Sequence, residues 1–141
     1  MVLTEEMKRW NKKIEEEIRK TADIKYLENF PKEIQEIYSE LRRIILNLYS
    51  DIQITPKKNY ISFKTKTNFL DVQPQNRLLK CVINIKSGKL KDPKKISRDI
   101  SKLGHFGSGD YDFSLYHIED IEKVLELINQ SYKANSQGIR K

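Results

Sequence analysis

A glycine-rich loop at residues 104–113 is the part of this sequence with the clearest potential for chemistry. It contains three of the chain's five glycines and one of its two histidines, His105. Glycine permits positive φ and a close approach of the backbone to a ligand or to another strand. Successive backbone amides of such a loop can also form a concave site for an anion. The loop therefore predicts either a binding site or a tight turn that directs Asp110 into a strand.

Known phosphate-binding motifs do not account for this loop. No strand–helix–strand unit surrounds Gly107 and Gly109, and the Gly-Lys-Ser/Thr ending of a P-loop is missing. His105 could act as an acid–base or ligand-contacting group, or its ring could bond to a carboxylate such as Asp110 or Asp99. No paired cysteine, serine elbow or second metal-binding carboxylate accompanies it. We therefore predict a binding site without catalysis, metal or cofactor.

Two further groups of polar residues could belong to a binding surface. Arg98 could grip a carboxylate or phosphate next to the loop, or form an ion pair that fixes a short helix. Tyr60 and Lys64 share one face of a predicted strand, and Lys80 lies on a predicted neighbouring strand. A sheet face that mixes tyrosine with lysine suits a nucleic-acid backbone. The alternative is an exposed face that its lysines keep solvated.

The charge of the chain indicates a polyanionic partner. Its 141 residues include 27 Lys and Arg against 20 Asp and Glu, which gives a formal net charge of +7. Clustered cations of this kind neutralise nucleic-acid phosphates, although a lysine-rich proteome would give the same balance. No apolar run reaches the roughly 18 residues of a membrane helix, and the single Cys81 has no partner for an internal disulfide. We expect a cytoplasmic protein that binds DNA or RNA and no membrane.

Hydrophobic periodicity places these residues on an α+β framework. Apolar residues every three or four positions predict an amphipathic helix over residues 3–25, which could dock on the domain or form a homodimer. Its apolar stripe consists of Leu3, Met7, Trp10, Ile14 and Ile18. A second helix is predicted from Pro31 to Leu48 and another from His117 to Tyr132. Alternating residues predict strands over 52–55, 59–65, 69–73, 78–86 and 110–115.

The short connections between these strands predict an antiparallel sheet of about five strands, with the N-terminal and C-terminal helices packed on one face. A weak helical pattern covers residues 94–103. We predict an α+β domain over residues 30–134, preceded by a helical extension at 1–29 and followed by a flexible polar tail at 135–141.

Six short motifs follow one another in a fixed order between residues 30 and 133. They are YISFK at 60–64, NFLD at 68–71, KLKDP at 89–93, RD at 98–99, GHFGSGD at 104–110 and LINQSY at 127–132. This order resembles a bacterial and archaeal domain family of unknown function that has carried the label "predicted transport protein". Its domains are found alone or at the C-terminus of restriction-type and other nuclease-related proteins. Phe106 stands where the resemblance leads us to expect tryptophan.

The resemblance implies an α+β domain with a role beside DNA-processing or defence machinery, and it implies no catalytic residues. We expect a non-catalytic accessory module that binds nucleic acid through Tyr60, Lys64 and Lys80, with Arg98 and the 105–110 loop lining an adjoining pocket. Two alternatives stay open. One is a small-ligand or peptide sensor with its pocket at the Gly104–Asp110 loop, and the other is a protein-interaction module that uses the N-terminal helix.

Overall fold

Six antiparallel strands form one sheet in the computed structural model, which describes residues 4–137 except for the side chains of residues 14–21. The strand order is β1-β2-β3-β4-β6-β5, and all neighbours are antiparallel. The elements are α1 (Glu5–Tyr26), a 3-10 turn (Leu27–Asn29), α2 (Lys32–Leu48), β1 (Gln53–Pro56), β2 (Ile61–Lys64), β3 (Asn68–Pro74), β4 (Leu79–Ile83), β5 (Arg98–Asp99), β6 (Tyr111–Leu115) and α3 (Asp120–Ser136). The predicted α+β class and antiparallel sheet are confirmed, with six strands instead of about five.

The hydrophobic core lies between the sheet and the helices. On β2, Phe63 packs against Tyr38 of α2, with ring centroids 6.2 Å apart. Phe69 of β3 meets Tyr49 and Tyr132 edge-on at 6.1 and 5.4 Å. Because side chains alternate along a strand, the residues next to Phe63 on β2 point to the other side of the sheet. That second face carries the polar residues of the site described below.

The C-terminal end of α1 is anchored in this core. Asp23 is buried, accepts a hydrogen bond from the Tyr38 hydroxyl and pairs with Arg42 at 2.6 Å. Leu27, just beyond the helix, is also buried. The other end begins at Thr4, whose hydroxyl accepts a hydrogen bond from the Met7 amide (3.1 Å). Of the predicted apolar stripe, Leu3 and the side chains of Ile14 and Ile18 lie outside the described residues.

The prediction of a short helix over residues 94–103 is wrong. The carboxylate of Asp92 accepts hydrogen bonds from the amides of Ile96 (3.1 Å) and Ser97 (2.8 Å) and from the Ser97 hydroxyl (2.6 Å). A side chain that binds the backbone in this way competes with helix formation and favours a turn. The chain then continues as β5, which pairs with β6 at the edge of the sheet. No helix among residues 4–137 is long and apolar enough to span a membrane.

Candidate functional site: a covered carboxylate and a lysine groove

One row of side chains crosses the sheet face opposite the helices. In register, Ser62 lies opposite Asp71, Asp71 opposite Val82, Val82 opposite Asp112, and Asp112 opposite Arg98. Residues directly opposite each other on antiparallel strands project to the same side of the sheet. The row therefore places two carboxylates on one face, with a valine between them.

Two of the cations predicted to bind a ligand, Arg98 and Lys80, pair with Asp112 in the structure. Arg98 donates hydrogen bonds from Nε to Oδ1 (3.2 Å) and from Nη2 to Oδ2 (2.8 Å), and Lys80 Nζ lies 3.5 Å from the same Oδ2. Hydrogen bonding to Asp112 raises the pKa of Arg98. Asp112 is buried and Arg98 is exposed. Arg98 thus forms an ion pair, as one of the two interpretations of the sequence expected, but it lies on β5 and not on a helix.

The glycine loop covers Asp71, the other carboxylate of the row. The Ser108 amide donates to Asp71 Oδ2 at 2.9 Å. Gly107 has φ +72°, and a Cβ atom there would lie 2.7 Å from the same oxygen. The Phe106 ring lies beside Tyr60, with centroids 5.4 Å apart. The loop therefore approaches the sheet too closely for a side chain at position 107, and it occupies one side of the tyrosine that was predicted to stack on bases.

Asp71 and Ser62 form a buried polar pair with unused hydrogen-bonding capacity. Asp71 is 1% exposed and Ser62 is 2% exposed. In the part of the chain that the structure describes, only Asp71 Oδ1 and Ser62 Oγ are buried side-chain polar atoms without a hydrogen-bond partner. Burial raises the pKa of Asp71 against the opposing effects of the Ser108 amide, the nearby Ser62 hydroxyl and the charge of Lys57. A buried polar atom without a partner costs free energy, so a hydrogen-bond donor would be stabilised here.

Asp110 and Gly109 connect the glycine loop to the loop after β4. The Asp110 amide donates to the Ile85 carbonyl (3.1 Å), and its Oδ2 accepts from the Ser87 amide (2.8 Å). Gly109 has φ +114°, and a Cβ atom there would lie 2.0 Å from the carbonyl oxygen of Ile83. Both predicted site residues thus have clear structural roles.

His105 is exposed, and its ring makes only a local contact. Its Nδ1 atom lies 2.7 Å from the carbonyl oxygen of Phe106. The two carboxylates that the sequence offered as partners bond elsewhere: Asp110 accepts from Ser87, and Asp99 accepts from Ser87 and Ser101. The alternative in which a carboxylate orients the His105 ring is therefore wrong.

A groove lined by lysines lies between α3 and the loop after β4. It has a volume of about 830 Å³. Four of its lining residues are lysines, and Glu126 is the one acid among them. The lining residues are Ile85, Lys86, Lys89, Lys91, Pro93, Glu126, Gln130, Lys133 and Ala134. None of the four lysines forms an ion pair with a carboxylate of the described residues. Like charges gathered in one groove create a positive potential that attracts anions.

The backbone that carries these lysines is fixed at both ends. Gln130 of α3 accepts a hydrogen bond from the Lys91 amide (2.9 Å) and donates one to the Lys91 carbonyl (2.8 Å). At the other end, the Gly88 amide donates to the Tyr111 hydroxyl (2.7 Å). The lysine positions are therefore held before any ligand arrives, which reduces the entropy lost on binding.

Two of the three residues predicted to form a basic sheet face, Tyr60 and Lys80, contact other side chains of the protein. Tyr60 lies against Phe106, and Lys80 pairs with Asp112. Lys64 is exposed at the end of β2, in register with Gln53 and Asn68.

Sequence analysis missed both the lysine groove and the Ser62–Asp71 pair as sites. The density of lysines between residues 86 and 95 was a usable signal for the groove. Ser62 and Asp71 are polar residues with apolar neighbours on both sides in their strands, which was a weaker signal.

Comparisons with known proteins identify relatives without an assigned activity. Residues 23–135 match the family described as "Domain of unknown function (DUF5655)". A protein of Haemophilus influenzae described as "Uncharacterized protein" is 40% identical over 100 residues, which is 71% of this chain. The matched region covers 33% of that relative's length. No solved structure matches the chain.

Proposed function

The chain belongs to the DUF5655 family, and we propose that it is a non-catalytic module that binds the phosphate backbone of nucleic acid in the lysine groove. One observation carries this proposal: Lys86, Lys89, Lys91 and Lys133 line one groove and have no carboxylate partner among the described residues. Lysines that neutralise phosphates release condensed counterions, which is the main source of sequence-independent binding. The net charge of +7 supports the same partner.

The composition of the groove favours contact with phosphates over contact with bases. Its lining residues include no aromatic side chain on which a base could stack. Gln130 is the lining side chain suited to an adenine edge, and its amide is already bonded to the Lys91 amide and carbonyl. The binding we propose is therefore independent of base sequence, and duplex DNA is the first probe.

We further propose that the module assists a DNA-processing protein in restriction or defence. The order of motifs supports this, since it resembles domains attached to nuclease-related proteins. The Haemophilus influenzae relative is about three times as long as the matched region, so its additional length could hold another activity. The label "predicted transport protein" has no part in the proposal.

The double variant Lys89→Ala/Lys91→Ala tests the groove. We expect its affinity for a labelled DNA duplex to fall about tenfold or more at moderate salt, because two phosphate contacts are lost. The slope of log affinity against log salt should become shallower by about two. Fluorescence anisotropy at several salt concentrations measures both quantities.

A matched control separates the groove from net charge. Lys32→Ala/Lys58→Ala removes two exposed lysines outside the groove and gives the same change from +7 to +5, since two unit charges are lost in each case. We expect it to bind DNA almost as the unaltered protein does. DNA binding in the groove would be refuted if both double variants lost the same affinity for DNA. It would also be refuted if the salt dependence of the groove variant were unchanged. A loss confined to Lys64→Ala/Lys80→Ala would place binding on the sheet face.

A second candidate function is the binding of a small ligand under the glycine loop. The observation that favours it is the pair of buried atoms without partners, Asp71 Oδ1 and Ser62 Oγ. A ligand with N–H donors would satisfy both atoms if the loop over Asp71 moved aside. Ligand binding would then account for a carboxylate at a position where burial raises its pKa.

Asp71→Asn tests whether that charge is costly. Because burial raises the folded-state pKa of Asp71, its contribution to stability is complete below the unfolded pKa of about 3.9. That contribution is lost as the pH rises through the folded pKa. The variant should therefore unfold at a higher urea concentration than the unaltered protein near pH 7, and the difference should shrink towards pH 4.

Asp92→Asn is the control for which we expect the opposite change in stability at pH 7. Burial tends to raise the pKa of Asp92, but hydrogen bonds from Ser97, Ile96 and Lys95 hold it below its usual range. Removing that charge should lower stability at pH 7. If Asp71→Asn also lowers stability at pH 7, the Asp71 charge is not costly, and no ligand is needed to account for it.

A further inference from the structure

The N-terminal half of α1 presents apolar side chains to solvent. Every residue from 4 to 13 is exposed, and Trp10 and Met7 are 64% and 43% exposed. Among the side chains of α1 that the structure describes, Asp23 near the C-terminal end is buried, as is Leu27 just beyond the helix. The described part of the chain therefore offers nothing that covers the Met7–Trp10 stripe.

Charged and polar residues flank this stripe in a specific pattern. Glu6, Arg9, Asn11 and Lys13 surround Met7 and Trp10 in a shallow depression on the helix surface. With Met7 and Trp10 at positions a and d of a heptad, Glu6 and Lys13 both occupy position g, and Asn11 occupies position e. Positions e and g flank the seam between paired helices, and their charges select the partner and its direction.

We propose that the Met7–Trp10 stripe is covered by α1 of a second copy of this chain, packed antiparallel. In an antiparallel pair, g residues face g residues, so Glu6 of each copy lies opposite Lys13 of the other. In a parallel pair, Glu6 would face Asn11, and the charges would have no partner. Charge complementarity thus selects a second copy and its direction. This inference does not depend on the proposed nucleic-acid function.

The single tryptophan makes the proposal directly measurable. Trp10 is the only tryptophan of the 141 residues, so fluorescence excited selectively at tryptophan, and not at the seven tyrosines, reports on the stripe alone. On dilution from millimolar to low micromolar protein, we expect the emission maximum to shift towards that of exposed tryptophan. In analytical ultracentrifugation, the average mass should fall from that of a dimer to that of a monomer over the same concentration range. Trp10→Ala should be a monomer throughout.

Charge reversal tests the antiparallel arrangement. Glu6→Lys and Lys13→Glu each place like charges opposite each other twice in a homodimer, so each should weaken dimerisation by about tenfold. An equimolar mixture of the two variants should recover the affinity of the unaltered protein, because both cross-pairs are then complementary. Lys12→Glu, one residue away on the outer side of the helix, is the matched control and should change little.

Several results would overturn the proposal. A monomer mass at every concentration rules out the second copy, whether Trp10 emission is that of an exposed or a buried ring. A dimer that Trp10→Ala does not weaken must use another surface. The antiparallel pairing is excluded if Trp10→Ala abolishes the dimer but an equimolar mixture of Glu6→Lys and Lys13→Glu does not recover the affinity of the unaltered protein.

Discussion

Gly109→Ala is expected to destabilise the fold by about 3–5 kcal/mol, as the sum of a strained backbone and an overlap with β4. The residue has φ +114°, a conformation that side-chain-bearing residues rarely adopt. A Cβ atom there would lie 2.0 Å from the Ile83 carbonyl oxygen and 2.5 Å from the Asn84 Cα. These neighbours are backbone atoms of the sheet and its continuation, so they cannot turn aside. Urea unfolding followed by circular dichroism measures the loss.

Gly104→Ala is the matched control in the same loop. Nothing lies within 4 Å of a Cβ atom at that position, and its φ is outside the positive range. Its stability should stay within about 0.5 kcal/mol of the unaltered protein. Equal stability of the two variants would contradict the close packing of residue 109 on β4.

The fold was largely predictable because its signals are local. The apolar stripe of α2 and the alternation in β2 follow directly from the periods of a helix and a strand. The turn at Asp92 was harder, since the same Ile96 and Ile100 spacing that indicates a helix also occurs in residues 94–103. Three hydrogen bonds that the Asp92 carboxylate accepts decide between the two structures, and hydrophobic periodicity does not detect them.

The candidate site was less predictable because it depends on contacts between distant residues. The sequence identified the glycine loop but not that Gly107 lies on Asp71, 36 positions earlier in the chain. It identified Arg98 and Lys80 as cations but not that both are balanced by Asp112. It identified no role for Gln130, which places Lys91 beside α3. Charge and glycine content can be counted along a chain, whereas pairing requires the register of the sheet.

The C-terminal end of α3 shows the same limit. The sequence predicts the end of the helix at Tyr132 and a polar tail from residue 135, but α3 continues to Ser136 and Asn135 is fully buried. Its Oδ1 accepts from Thr67 (2.6 Å) and Asn84 (3.1 Å). Its Nδ2 donates to the carbonyls of Asn84 (3.0 Å) and Ser131 (2.7 Å). A polar residue that looks suited to solvent is thus satisfied by the protein.

Asn135→Ala should therefore lower the free energy of unfolding by about 2–4 kcal/mol, because it leaves several buried polar groups without partners. Ser136→Ala is the control, since its hydroxyl makes one exposed bond to the Lys133 carbonyl (3.3 Å) and should matter little. Urea unfolding compares the two. A mild effect of Asn135→Ala would mean that water replaces the amide. In that case the side chain of Asn135 would not be needed to hold the last turn of α3, which carries Lys133 of the groove.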